Sequence, residues 1–303
     1  MTDQTPLSDI SAITEQLRLI RLVSQQRRYP GRVLPQLPSR AEIAQIQIDT
    51  VGLLYPRHFG PAGLTAEATD AHVARMLISV RSRLAVQLRL EFMLAEGSDS
   101  EGAAARAHAI ADAYLSALVR VRDVHDTDIS AAFAGDPSAK SLDEVVFCFP
   151  GLAAILRHRL AHELHRHGAT MTARIMAELS HSLTGIDIHP GAKIGPAFFV
   201  DHGTGVVIGE TTVIGRNVRL YQHVTLGAKR FEVDETGALV KGQPRHPVLE
   251  DDVVIYAGAT VLGRVTVGRG SSIGGGVWLT HSVAPGSTVT QAKPLLDVAQ
   301  SGL

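Results

Sequence analysis

The 303-residue sequence has little cysteine, little tryptophan and no excess of charge of either sign. Its single cysteine, Cys148, excludes an intramolecular disulfide and suits a reducing cytoplasm. The net charge of −1 gives no reason to expect nucleic acid or an anionic membrane as a partner. No apolar run approaches the ~20 residues that span a bilayer, and the first residues lack a basic segment followed by an apolar one. We therefore expect a cytoplasmic protein that binds neither nucleic acid nor membrane.

The spacing of apolar residues along the chain changes near residue 185. Before that point, apolar residues recur at intervals of three and four, which predicts one buried face on each of several helices. The predicted helices cover residues 10–27, 40–54, 70–94, 103–122 and 151–178, the last one interrupted near Gly168. Residues 1–185 are therefore predicted to form an α-helical domain.

After residue 185 the spacing of aliphatic residues becomes six. One run is Ile188, Ile194, Val200 and Val206, and after a two-residue slip it continues as Ile208, Ile214, Leu220 and Leu226. A second run is Leu249, Ile255, Val261, Val267, Ile273 and Leu279. Each unit of six is a short strand and a turn, and stacked coils bury the aliphatic anchors as ladders. Residues 186–289 are therefore predicted to form a parallel β-helix of hexapeptide repeats, so the fold class is α+β.

Residues 228–247 interrupt the second half of the chain. They carry a cluster of charges at 229–235 and glycines at Gly237 and Gly242, and none of the six-residue spacing. A loop of this length in a repeat protein is usually functional or disordered. We predict that it leaves the coil as an excursion loop, and the Arg245-His246-Pro247 segment at its end favours a functional one.

The segment Asp201-His202-Gly203-Thr204-Gly205 is a candidate catalytic turn. His202 lies two places after an aliphatic anchor, and the two glycines leave its ring open to a ligand. Asp187 lies fifteen residues earlier, nearly one coil of three hexapeptides, so stacking is expected to bring its carboxylate beside the imidazole. A carboxylate there fixes the tautomer, so that the exposed nitrogen is the basic one. Two unrelated polar residues at surface turns would show the same pattern.

The other candidate residues are a loop arginine and several histidines. Arg245 offers the planar fork that suits a substrate carboxylate, although a solvated loop cation is the simpler interpretation. His158, His162 and His165 share one helix face but lack the spacing of a zinc-binding motif, so no metal is expected. There is no phosphate-binding loop, no GxSxG segment and no reactive-cysteine context, which argues against a covalent acyl-enzyme.

The segments DIHPGAKIG, DHGTGVVIGET, VTLG and RHP together resemble the serine O-acetyltransferase family of hexapeptide acyltransferases, over about residues 136–289. The resemblance implies a left-handed coil that transfers acetyl from acetyl-CoA directly to the hydroxyl of L-serine, the first step of cysteine synthesis. His202 matches the general base and Asp187 the carboxylate that orients it. The positions that match serine-binding residues are Asp136, Asp201, Arg245 and His246, and those that match the acetyl-CoA site are Ala228, Ala257 and Gly275.

The resemblance also implies an assembly and its regulation. Family members pack three β-helices with active sites between neighbours, and their helical domains often join two trimers. L-Cysteine commonly inhibits them by occupying the serine site. The tail, residues 290–303, lacks a Gly-Val-Pro-Ala element and ends in Leu303, where members that bind cysteine synthase usually end in isoleucine. This departure argues against docking of the tail into that enzyme.

Three other functions compete with serine acetylation. The first is acetylation of another hydroxyl, on homoserine or a sugar, but Asp136, Asp201 and Arg245 favour a zwitterionic acceptor. The second is a zinc site of the γ-carbonic-anhydrase kind using His202 and His223, which needs a five-residue histidine interval that the coil lacks. The third is a structural trimer that scaffolds a partner enzyme, which leaves His202 without a role.

Overall fold

The computed structural model describes residues 7–31, 33–96, 100–230 and 234–292. Its helices are α1 (Leu7–Arg28), α2 (Arg40–Leu54), α3 (Pro56–Phe59), α4 (Ala66–Glu96), α5 (Ser100–Gly135), α6 (Leu142–Cys148), α7 (Pro150–Arg166) and α8 (Thr170–Thr184). The predicted helical N-terminal region is thus confirmed, and α3, α6 and the second half of α5 are added to it. None of the described helices has the length and hydropathy needed to cross a bilayer.

Local chemistry sets several helix ends. The hydroxyl of Ser39 accepts a hydrogen bond from the backbone N–H of Glu42 at the start of α2, as an N-cap does. Ser141 caps α6 in the same way through Glu144. Helix α8 ends at Gly185, whose φ of 70° is left-handed, so glycine is suited to this position. The coil begins directly after this residue.

The second half of the chain is a coil of very short parallel strands. They are β1 (Asp187–Ile188), β2 (Lys193–Ile194), β3 (Phe199–Val200), β4 (Val207–Ile208), β5 (Val213–Ile214), β6 (Arg219–Leu220), β7 (Thr225–Gly227), β8 (Val248–Leu249), β9 (Val254–Ile255), β10 (Thr260–Leu262), β11 (Thr266–Val267), β12 (Ser272–Ile273), β13 (Trp278–Leu279) and β14 (Thr288–Val289). They form sheet A (β1-β4-β7-β10-β13), sheet B (β2-β5-β8-β11) and sheet C (β3-β6-β9-β12-β14). The predicted parallel hexapeptide coil is confirmed.

The six-residue anchors are the interior of this coil. Every anchor except Val206 lies in a strand, and all are buried except Ile194, which is partly buried. Val206 is fully buried in the turn before β4. The ladders form because each anchor stacks on the anchor one coil away, as Ile188 does on Ile208.

The two-residue slip in the repeat is an insertion between β3 and β4. Strand β1 pairs with β4 through Asp187 and Val207, so this coil is twenty residues long. Strand β4 pairs with β7 through Val207 and Thr225, so the next coil has eighteen. The insertion lies in the turn that carries His202, and it makes this turn longer than those that follow β6 and β9.

A buried ion pair fastens the helices to the first coil. Arg159 of α7 donates through Nε and Nη2 to the carboxylate of Asp128 on α5, at 2.8 and 2.9 Å. The same guanidinium donates to the backbone carbonyls of Ile194 and Gly195, and the Asp128 carboxylate accepts from the N–H of Phe198. These bonds position the C-terminal end of α5 against sheet C.

Candidate active site

His202 occupies a strained, open turn between β3 and β4. Its φ is 58°, and Gly203 and Gly205 follow with φ of 88° and 75°. A Cβ on Gly205 would lie 2.3 Å from Nδ1 of His223, so a side chain there is excluded. The side chain of His202 is 73% exposed, so the imidazole is open to a ligand. A positive φ at a non-glycine residue recurs in other turns of this coil, at Ala197, Asn217, His223 and Asp252, so at His202 it is part of the turn geometry.

One carboxylate, that of Asp201, lies beside this imidazole, and a second, that of Asp136, interacts with it electrostatically. Oδ1 of Asp201 is 3.9 Å from Nε2 of His202, and Oδ2 accepts a 2.5 Å hydrogen bond from Nη2 of Arg219. Asp136 follows the end of α5, and hydrogen bonds from the N–H and hydroxyl of Ser138 lower the pKa of its carboxyl, with further lowering by Arg219 and His202. We call Asp136, Asp201, His202 and Arg219 the base cluster.

Asp187 lies at the start of β1, where its backbone N–H donates to the carbonyl of Val206. Its stacking partner is Val207, because the separation of fifteen residues from His202 is five short of this coil. Its carboxylate lies within 4.8 Å of the metal-binding atoms of Glu178 and His181, and no hydrogen bond or ion pair joins it to His202 in the part of the chain that the structure describes. Stacking thus pairs Asp187 with Val207, and its role beside the imidazole stays a prediction.

His246 is buried at the return of the excursion loop. Its Nδ1 accepts a hydrogen bond from the backbone N–H of Thr211 at 3.1 Å and lies 2.9 Å from the Thr211 hydroxyl. Burial, with help from Arg245, lowers the pKa of the ring to about 4, so the imidazole is neutral at pH 7. Because Nδ1 is an acceptor, the proton of the neutral ring is assigned to Nε2. Gly209 makes room for the ring, since a Cβ there would lie 2.0 Å from Cδ2 of His246.

Arg245 is held beside His246 by the same turn. Its backbone N–H donates to the Thr211 hydroxyl at 2.9 Å, and Nη2 donates to Oε2 of Glu210 at 2.6 Å. Glu210 and Thr211 belong to the quoted segment DHGTGVVIGET, yet neither was predicted to have a role. We call Glu210, Thr211, Arg245 and His246 the arginine cluster.

One group beside the arginine cluster meets the distance requirement for a metal ion. The metal-binding atoms of His165, His189 and Glu210 lie within 4.8 Å of one another. However, the N–H of Gly191 donates to Nδ1 of His189 at 2.9 Å. A metal at Nδ1 would displace this bond, and a metal at Nε2 would require a proton on Nδ1 that faces the Gly191 donor. The donor set therefore does not suit a metal.

The two clusters lie on opposite edges of sheet A. The base cluster precedes β4 at the edge shared with sheet C, whereas His246 packs on Gly209, which follows β4 at the edge shared with sheet B. No hydrogen bond or ion pair joins the clusters among the described residues. One chain therefore carries two separate clusters of candidate residues.

The positions matched to acetyl-CoA are divided in the same way. Ala257 and Gly275 lie on the edge of the base cluster, where the N–H of Gly276 donates to the Ala257 carbonyl at 2.9 Å. Ala228 follows β7 on the edge of the arginine cluster. The excursion loop starts there and returns beneath Arg264, whose Nη1 donates to the carbonyls of Thr211 and His246. Residues 231–233 of the loop and 293–303 of the tail, including Leu303, lie outside the described residues.

Known proteins share this architecture. A family model described as bacterial transferase hexapeptide (six repeats) matches residues 246–281. The Synechococcus elongatus protein named "Serine acetyltransferase, plasmid" is 53% identical over 272 residues, 88% of this chain and 85% of its own length. Among solved structures, Entamoeba histolytica serine acetyltransferase isoform 3 in complex with cysteine is 33% identical, with a TM-score of 0.72 and 96% of each chain covered. Neisseria gonorrhoeae serine acetyltransferase in complex with serine is 27% identical, with a TM-score of 0.54 and 83% and 95% coverage.

The long match to the Synechococcus protein covers both the helical region and the coil, so it is not a likeness of the repeat alone. The chain belongs to the serine acetyltransferase family.

Proposed function

We propose that this protein transfers acetyl from acetyl-CoA to the hydroxyl of L-serine, giving O-acetyl-L-serine and CoA. The observation that carries the proposal is the exposed imidazole of His202 beside the carboxylates of Asp136 and Asp201. An imidazole next to an ammonium-binding pair suits deprotonation of a hydroxyl on an amino acid. The membership of the serine acetyltransferase family supports the same acceptor.

His202 acts as the general base. It accepts the proton of the serine hydroxyl while the oxygen attacks the thioester carbonyl carbon of acetyl-CoA. The tetrahedral intermediate then collapses, the C–S bond breaks, and the imidazolium returns the proton to the CoA thiolate. General base catalysis of this kind contributes roughly 10²–10⁴-fold to the rate.

The charged residues of the clusters recognise the two ends of serine. Asp136 and Asp201 bind its ammonium group, and Arg245 binds its carboxylate with the guanidinium fork. The Nε2–H of His246 is a fixed neutral donor, which suits the oxyanion that develops on the thioester carbonyl. Acetyl-CoA lies along the coil by Ala228, Ala257 and Gly275.

The complete site is formed by two subunits. We infer a trimer of left-handed coils in which the base cluster of one chain faces the arginine cluster of the next, because a threefold rotation brings opposite edges together. The helical domain, residues 1–185, joins two such trimers and supplies Asp136. The coil domain, residues 186–289, carries the other groups.

Family roles complete the proposal. Asp187 is kept as the residue that orients His202, on the family resemblance alone, since its carboxylate in the single chain lies near Glu178 and His181. L-Cysteine, bound in the Entamoeba relative, inhibits by occupying the serine site. The protein works in the cytoplasm.

The proposal is tested by following CoA thiol release from acetyl-CoA with serine, homoserine, threonine and several sugars as acceptors. We expect the highest kcat/KM with serine, and an inactive His202→Ala variant with unchanged circular dichroism. Activity confined to sugars would overturn the acceptor. A protein that binds neither serine nor acetyl-CoA would instead favour a scaffolding role.

A further inference from the structure

Arg219 is an arginine of the base cluster that the sequence did not single out. It lies on β6 in register with Phe199 of β3. Its guanidinium carbon is 4.9 Å from the centre of the Phe199 ring and 4.7 Å from that of Tyr221. Tyr221 in turn stacks on Tyr256, with ring centres 5.3 Å apart. The side chain is only 25% exposed, so the aromatic rings hold the guanidinium in one place.

The held guanidinium bonds one oxygen of Asp201 and leaves the other oxygen directed to His202. Nη2 donates to Oδ2 at 2.5 Å, while Oδ1 is 3.9 Å from Nε2 of the imidazole. The positive charge of Arg219 also lowers the pKa of Asp136. Arg219 thus acts on both carboxylates that border the base.

The base cluster has an electrostatic conflict without this arginine. Two carboxylates suit the binding of an ammonium group, but beside an imidazole they favour the protonated ring. A protonated His202 cannot accept the serine proton. The charged groups assigned to His202 are Asp201 on its own turn, Asp136 at the end of α5, Asp187 by the family resemblance, and Arg219 on β6 through Asp201. Arg219 is the cation among them.

We propose that Arg219 is a positioning residue that fixes the Asp201 carboxylate beside His202 and offsets the negative charge of the carboxylate pair next to the base. The inference rests on the proposed function in that His202 is the base. Arg219 contacts neither reacting atom in this scheme and acts through Asp201. Its role is electrostatic, so the charge of the side chain matters more than its shape.

The test compares Arg219→Met, which keeps an unbranched side chain between the rings, with Arg219→Lys, which keeps the charge. The first measurement is kcat/KM for serine against pH. Loss of the cation favours imidazolium, so the acid limb of the profile should move to higher pH by about one unit in Arg219→Met and stay close to wild type in Arg219→Lys. Arg216→Met, which removes an exposed arginine on the turn before β6, should leave the limb in place. An unmoved limb in folded Arg219→Met would overturn the inference.

A second measurement separates this inference from the proposed function. The titration midpoint of His202 is followed through the NMR signals of its ring carbons, assigned with His202→Ala. It should rise in Arg219→Met whether or not the protein acetylates serine, and an equal midpoint would overturn the role of Arg219. Failure of the proposed function appears separately, as wild-type protein that releases no CoA with serine. If Arg219→Met does not fold, Arg219→Gln carries the same comparison.

Discussion

The backbone N–H of Thr211 donates to Nδ1 of His246 at 3.1 Å, and this bond decides which nitrogen of the ring carries the proton. The neutral imidazole therefore has Nε2–H as its donor. His246 and His202 are therefore different in kind: the first is a buried ring fixed as a donor, and the second is an exposed ring free to accept a proton.

His246→Ala should lower kcat by about 10²–10³-fold, the usual effect of losing one oxyanion donor, with a smaller change in KM for serine. His246→Gln restores an N–H donor and should recover part of kcat. Steady-state kinetics with serine and acetyl-CoA measure both. A variant that raises KM and leaves kcat intact would assign His246 to substrate binding alone.

Subunit complementation tests the two half-sites. His202→Ala and His246→Ala chains are each expected to be inactive. Mixed and reassembled in equal amounts, they should regain about a quarter of wild-type activity, because one ordered pair of neighbours in four brings the two intact clusters together. The matched control mixes His202→Ala with His202→Gln, which both lack the base, and should regain none. Equal recovery in both mixtures would contradict a shared site.

Asp187→Asn and Asp201→Asn separate the two carboxylates assigned to the base. Asp201→Asn should raise KM for serine by about tenfold, because one charged partner of the ammonium is lost. Asp187→Asn should lower kcat by about 10–100-fold with little change in KM, if the assembled enzyme brings Asp187 to the ring. Wild-type kcat in folded Asp187→Asn would remove that residue from the mechanism.

The ion pair between Asp128 and Arg159 should contribute much of the free energy that holds the helices against the coil. Arg159→Met leaves a buried, uncompensated carboxylate, so it should lower the free energy of unfolding by about 3–5 kcal/mol in urea titrations. The control is Arg81→Met, which breaks an exposed pair with Asp112 and should leave the free energy of unfolding almost unchanged. Equal losses in the two variants would show that burial of the pair adds nothing.

Buried histidines should make stability fall in mild acid. Burial lowers the pKa of His125, His189 and His246 to about 4, below the ordinary 6.5. As the pH falls from 6.5 towards 4, these histidines bind protons in the unfolded chain but stay neutral in the folded chain. The free energy of unfolding therefore decreases across that window. Above 6.5 these rings are neutral in both states and contribute no slope.

His125→Gln tests this assignment, because His125 is almost fully buried and bonded to the hydroxyl of Tyr55 and the carbonyl of Leu152. The variant should show a shallower decrease between pH 6.5 and 4 in urea titrations than the wild type. An identical slope would mean that other groups, such as the carboxylates, control acid stability.

The sequence by itself determined the coil, the helical half and the motifs. The coil could be predicted because its order is local: an anchor every six residues specifies a strand, a turn and the next strand, and stacking follows from repetition. The amphipathic helices could be predicted for the same reason, because their apolar spacing is also local. Helices α3 and α6 were not predicted, since they are too short to show a period and depend on Pro56 and the Ser141 cap.

The tertiary structure alone decided how the candidate residues are grouped. The insertion before β4 makes the first coil twenty residues long and lengthens the turn that carries His202. The six-residue spacing shows this slip, but not which side chains the longer turn brings together. The register of β6 on β3 places Arg219 beside Phe199, from where its guanidinium reaches Asp201, and the excursion loop brings His246 back onto Gly209. The sequence motifs identify the candidate reactive groups, because each motif is a continuous segment. Which side chains contact those groups depends on the number of residues in each coil.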